Sequence, residues 1–187
     1  MFNYLIYILI LIFGISSYVV GSKEIITGKY SPSLFSRIIW VFLAINSFAG
    51  IILSGGTKSS VLLGSIFLLG NITICILSFH KGVREFGKIE MYTLSLLLIS
   101  ILIWIFFDAP LVNLLISLFA HFIGGIPTYK RVWINPKTES FGFWSLFFVS
   151  SFLSVLISDF TSIKEIVFPL YFMIFDGVMT LLTLRKK

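Results

Sequence analysis

The chain has very little of what a protein needs to fold in water. Only 12% of its residues are charged, where soluble domains carry about a quarter. Its single cysteine, Cys75, excludes a disulfide framework. The only histidines, His80 and His121, are far apart in sequence, with no Cys or carboxylate at ligand spacing, so no metal site is expected. No nucleophile elbow, phosphate-cradling glycine loop or metalloprotease helix pattern occurs, so neither an enzyme nor a cofactor is expected. Apolar and polar residues do not alternate within the apolar segments, which excludes a transmembrane β-barrel.

What the chain does contain is apolar side chains, at 58% with a mean hydropathy of +1.05 and 21 phenylalanines. Uncharged runs cover residues 1–22, 38–57, 59–79, 91–107, 109–129, 140–158 and 166–184, the last broken only by Asp176. A helix crosses a ~30 Å hydrocarbon core in about 20 residues. Seven transmembrane helices are therefore predicted, with the lipid bilayer as the main partner. The first run lacks a basic start and a small-x-small cleavage site, so it reads as a span and not as a cleavable signal.

Charge sets the expected orientation. Twelve of the 14 basic residues lie in the connections after helices 1, 3 and 5 and in the C-terminal tail, including Lys23, Arg37, Lys81, Lys130 and Arg185. The opposite ends hold only Lys58 and Lys164, beside Asp108, Asp159 and Glu165. Positive loops stay inside, so the N-terminus is expected outside and the C-terminus in the cytoplasm of a plasma membrane. The net charge of +6 is accounted for by this topology and by anionic lipid, with no nucleic acid required.

A spaced pattern occurs twice. Pro32, Ser36 and Trp40 recur 104 residues later as Pro136, Ser140 and Trp144, and Gly21 recurs as Gly125 at the same offset. Helices 1 and 2 thus map onto helices 5 and 6. Helix 3 maps onto helix 7 at an offset of 105, which pairs Phe67 with Phe172 and Lys81 with Lys186. Helix 4 has no counterpart. The fold class is an all-α membrane protein of seven transmembrane helices, with two parallel three-helix repeats joined by a linker helix. The first repeat is residues 1–79, the loop and linker helix 80–107, and the second repeat with its basic tail 108–187. Internal repeats of this kind are common in transporters.

The segment Pro127-Thr128-Tyr129-Lys130, followed by Asn135-Pro136-Lys137-Thr138-Glu139-Ser140, resembles the Pro-Gln motif and basic loop of the SWEET and PQ-loop superfamily. Thr128 stands where that family has Gln, and Lys23 pairs with Pro127 in place of a second hinge proline. The resemblance implies a three-one-three fold and transport of a small solute by alternating access, with a sugar as the family-weighted substrate. It also implies that the third helices of the two repeats bind substrate, at positions matched by Asn71 and Asp176. A non-transporting receptor or accessory membrane protein would use the same fold.

Mid-membrane polar residues point to the same place. Asp176 sits near the middle of its span, where a charge costs ~2.5–3.5 kcal/mol on insertion scales and so faces a cavity or a partner. It is a candidate for substrate binding and proton coupling, or for an interhelical hydrogen bond with its repeat mate Asn71. Asn46 and Ser150 form a second pair of substrate-binding candidates, with a bridge between helices the alternative for Asn46. His121, paired with Ser17, is either a proton relay or a packing residue. Pro127, Trp40 and Trp144 are gating candidates, with interfacial anchoring the alternative for both tryptophans. Ser36 and Ser140 are expected as helix N-caps. Small residues such as Gly64 and Gly124 allow close helix approach, and the thin wall of a seven-helix protomer is compatible with a homodimer.

Overall fold

The computed structural model describes residues 2–84 and 86–185. Lys186 and Lys187, and with them the pairing of Lys81 with Lys186, lie outside the described residues. Those described form seven α-helices: α1 (Phe2–Ile26), α2 (Leu34–Leu53), α3 (Lys58–Lys81), α4 (Lys88–Phe107), α5 (Pro110–Ile134), α6 (Phe141–Leu156) and α7 (Ile163–Leu184). A short 3-10 turn, Pro136–Thr138, precedes α6. Six of the helices are long and apolar enough to cross a membrane. The exception is α6, whose 16 residues reach only ~24 Å at 1.5 Å per residue.

The helix ends follow from local chemistry. Ser140 caps α6, its hydroxyl accepting from the Phe143 N–H at 3.0 Å. At α2 the cap is Ser33 and not Ser36. Ser36 lies inside the first turn and donates to Glu90 at 2.8 Å, tying α2 to the start of α4. Asp108 adopts a left-handed conformation (φ 46°) between α4 and α5. Pro110 then opens α5, at a position where a missing N–H removes no helical bond. Pro127 does not end α5, which continues to Ile134. Having no N–H, it removes one helical hydrogen bond and leaves a softened point in the helix.

Helix α1 packs on α3 and α6, α2 on α3 and α5, and α7 on α6, α5 and α3. Six helices therefore close a ring in the order α1, α3, α2, α5, α7, α6. Helix α4 rests outside it, against α5 and α2. Its buried residues are Thr93, Leu97 and Ser100, a single seam at helical spacing, while Leu98, Ile105 and Phe106 face outwards. Outward-facing apolar side chains such as Ile8, Ile12, Leu69 and Leu181 run round the bundle. Lipid tails are as apolar as leucine, so burial from water does not hold these helices together; close packing and interhelical hydrogen bonds do.

Candidate functional site

Asn71 on α3 and Asp176 on α7 line one interior space at the centre of the ring. Each is 2% exposed. The Asn71 amide donates to the Tyr18 hydroxyl at 3.2 Å and to the Phe67 carbonyl at 2.8 Å. Tyr18 can come this close because Gly70, on the facing turn of α3, has no side chain to meet its ring. Asp176 is different. Its Oδ2 is buried without a hydrogen-bond partner among the described residues. An unmade bond to a buried acceptor costs about 1–3 kcal/mol, and more when the group is charged.

Aromatic rings form the walls. Phe67 and Phe172 lie at 4.4 Å between centroids, each on the third helix of its proposed repeat. Phe147 of α6 packs edge-on against Phe172 at 5.9 Å. His121 is boxed in by Trp40 at 4.6 Å and Phe175 at 4.9 Å. Its Nδ1 meets the Tyr171 hydroxyl at 2.9 Å, and its Nε2 has no partner among the described residues. The rings leave a cavity of about 10 Å³, room for roughly one water. Offset and edge-on pairs of this kind contribute about 0.5–1.5 kcal/mol each beyond simple burial.

Towards the basic ends of the helices the space is closed by charged groups. Arg37 is buried, donates to the Tyr30 hydroxyl, and places its guanidinium 4.6 Å from the Trp40 ring. From the other side comes Glu139, between the 3-10 turn and α6. It accepts from the Trp144 indole at 3.3 Å and pairs with Arg131 at 3.5 Å. Burial pushes the Glu139 carboxyl up; Arg37, Arg131 and hydrogen bonds from Trp144 and Tyr30 pull it part of the way back. At the opposite ends, Ser60 of α3 donates to the Glu165 carbonyl of α7 at 2.6 Å. Phe168 covers Phe67 and Phe172 just inside that contact.

The predicted site residues thus separate into groups. Asn71, Asp176, His121, Trp40 and Trp144 line the same space. The two tryptophans are only 4% and 3% exposed, so neither anchors at the lipid headgroups. Their rings are drawn inwards by aromatic neighbours, by Arg37 beneath Trp40 and by the Glu139 acceptor for Trp144. Trp133 is the exposed one, with the Arg185 guanidinium 4.2 Å from its ring. Pro127 lies at the basic end, where it lines a separate cavity between α2 and α5.

Asn46 and Ser150 are elsewhere. The Asn46 amide nitrogen lies within 2.9 Å of Ser100 Oγ, 2.8 Å of Asn113 Oδ1 and 2.6 Å of Ser117 Oγ, while Asn113 donates back to Asn46 at 3.2 Å. This cluster joins α2, α4 and α5. Ser150 donates to the Ile10 carbonyl at 2.9 Å and joins α6 to α1. Their amide and hydroxyl capacity is used between helices.

Sequence reading missed Tyr18, Arg37 and Glu139. One signal was present: Arg37 precedes Trp40 by three residues, and Glu139 precedes Trp144 by five. Opposite charges therefore stand beside the two tryptophans that the repeat equates. Comparison with protein-family models, characterised proteins and solved structures returns no match.

Proposed function

We propose that the protein is a multi-pass plasma-membrane transporter of a small solute, working by alternating access on a SWEET-like arrangement of two parallel triple-helix repeats. The observation that carries this reading is the shared space of Asn71 and Asp176, with a buried carboxylate oxygen that has no partner among the described residues. Interior polar groups of this kind in a membrane bundle mark substrate or ion pathways. The helix contacts support the repeat: exchanging α1 with α5, α2 with α6 and α3 with α7 maps the ring of neighbours onto itself. The excess of basic residues at one end supports a cytoplasmic C-terminus.

In this reading Asn71 and Asp176 bind the substrate, and the aromatic walls stack on it; a sugar is the favoured class. Asp176 and His121 are the proton-coupling candidates. The inner gate is Arg37, Glu139, Trp40 and Trp144, with Pro127 as a flexible point of α5. The Ser60–Glu165 contact and Phe168 form the outer gate. The cavity of about 10 Å³ corresponds to a state closed at both ends.

The test is uptake into liposomes of labelled sugars, nucleosides and amino acids, with and without a pH gradient, by the parent and by Asp176→Asn. Saturable uptake that Asp176→Asn loses, while its melting temperature is retained, supports the reading. A packed centre also suits a non-transporting receptor or accessory protein. No uptake of any class, with parent and variant equally stable, would favour that second reading.

A further inference from the structure

A second cavity, of about 90 Å³, lies at the basic end between α2, α4 and α5. It is separated from the central space by Arg37 and Trp40, which line both. Its chemistry is one-sided. Trp40 is 4% exposed, and its indole nitrogen has no partner among the described residues. That nitrogen lies 2.9 Å from where a Cβ would stand on Gly124, another residue of the lining. The Nε of Arg131 is also buried with no partner among the described residues, while its Nη2 meets Glu139 at 3.5 Å.

Both groups can only donate hydrogen bonds. Arg37 adds a second guanidinium, and α2 begins beside the cavity with its partly positive N-terminal end. The one carboxylate in the lining, Glu90, already accepts from the Ser36 hydroxyl at 2.8 Å and from the Gly87 N–H at 2.9 Å. The cavity therefore has two buried donors with no partner among the described residues, and its one carboxylate is already engaged at both oxygens. Arg131 keeps 42% of its side chain exposed, so the rim reaches the surface.

We propose that this cavity binds a phosphate-type oxyanion, held by Arg37, Arg131 and the Trp40 indole. Both a free phosphate and the headgroup of an anionic lipid present that chemistry at the inner face of a membrane. The inference does not rest on transport through the centre, although Arg37 and Trp40 also belong to the proposed inner gate.

The test uses the full chain in neutral detergent. Inorganic phosphate is titrated against sodium chloride at matched ionic strength, and in parallel phosphatidylglycerol against phosphatidylcholine, with melting temperature as the readout. A saturable rise with phosphate identifies a solute site, and a rise with phosphatidylglycerol alone identifies a headgroup site; either supports the proposal. Trp40→Phe and Arg131→Lys should each weaken the apparent affinity about tenfold, the effect of losing one charge-assisted hydrogen bond. If Trp40→Phe does not fold, Arg131→Lys decides alone. The proposal is overturned if neither anion source raises the melting temperature beyond its control, or if the variants that fold respond as the parent does.

Discussion

Tyr18 lies so close to Gly70 that a methyl group at residue 70 would overlap its ring. The same tyrosine holds Asn71 through its hydroxyl, so the missing side chain and the position of the amide are one feature. Gly70→Ala should destabilise the protein by about 1–3 kcal/mol, the usual cost of overpacking. Unfolding followed in detergent measures this. Pairing the change with Tyr18→Ala should recover part of the loss; an additive double variant would show that the two residues do not press on each other.

The Asn46–Asn113 amide pair predicts coupling. Asn46→Leu leaves Asn113 buried with its hydrogen bonds unmade, at a cost of about 1–3 kcal/mol. The double change to leucine should cost less than the two single changes summed, by about 0.6 kcal/mol as is typical of interhelical pairs in membranes. A double-variant cycle on thermal or denaturant stability reads the difference directly. Zero coupling would mean that the amide pair does not help to hold α2 against α5.

The caps of α2 and α6 make a comparison possible within one molecule. Ser140→Ala should cost about 1 kcal/mol, as for other N-cap serines. Ser36→Ala should leave α2 capped and affect instead the contact with Glu90. Hydrogen exchange at the first turns of α2 and α6 separates the two outcomes.

Glu139 predicts a pH dependence. Its carboxyl is held above the ordinary glutamate value of 4.5 in the folded protein. As pH rises past that value, the unfolded chain releases its proton first, and the folded form still holds one. Stability therefore falls as pH rises from there through the raised folded pKa. Glu139→Gln, which keeps an oxygen for the Trp144 indole, removes this titration. The melting temperature of the parent relative to the variant should be highest below pH 4.5 and decline above it. A constant difference across that range would contradict the burial of this group.

Helix number and most boundaries were readable from charge spacing, because a Lys or Arg cannot sit in hydrocarbon without a partner. The joint position of Asn71 and Asp176 was readable from the offset of 105 residues. Arg37 was less legible. Counted as a topology-setting charge, it is in fact buried, because Tyr30 and Trp40 supply a hydrogen bond and an aromatic face that water would otherwise provide. That Asn46 bridges helices and that Ser150 lies away from the central space were not decidable from the sequence, for a related reason. Depth in the membrane follows from chain position, but the direction in which a side chain points depends on neighbours far away in sequence, such as Asn113 and Ile10. Pro127 marks a soft point and not a boundary, because α5 runs on for nearly two turns beyond it.

The shortness of α6 has a consequence for the surrounding lipid. Phe141, Phe152 and Leu156 face outwards along a helix of 16 residues, beside the 25-residue α1. A ~30 Å hydrocarbon slab does not match a ~24 Å apolar cylinder, and acyl chains compress more readily than helices extend. In a bilayer this mismatch is expected to thin the lipid along the α6 side of the bundle and to leave the opposite side unchanged.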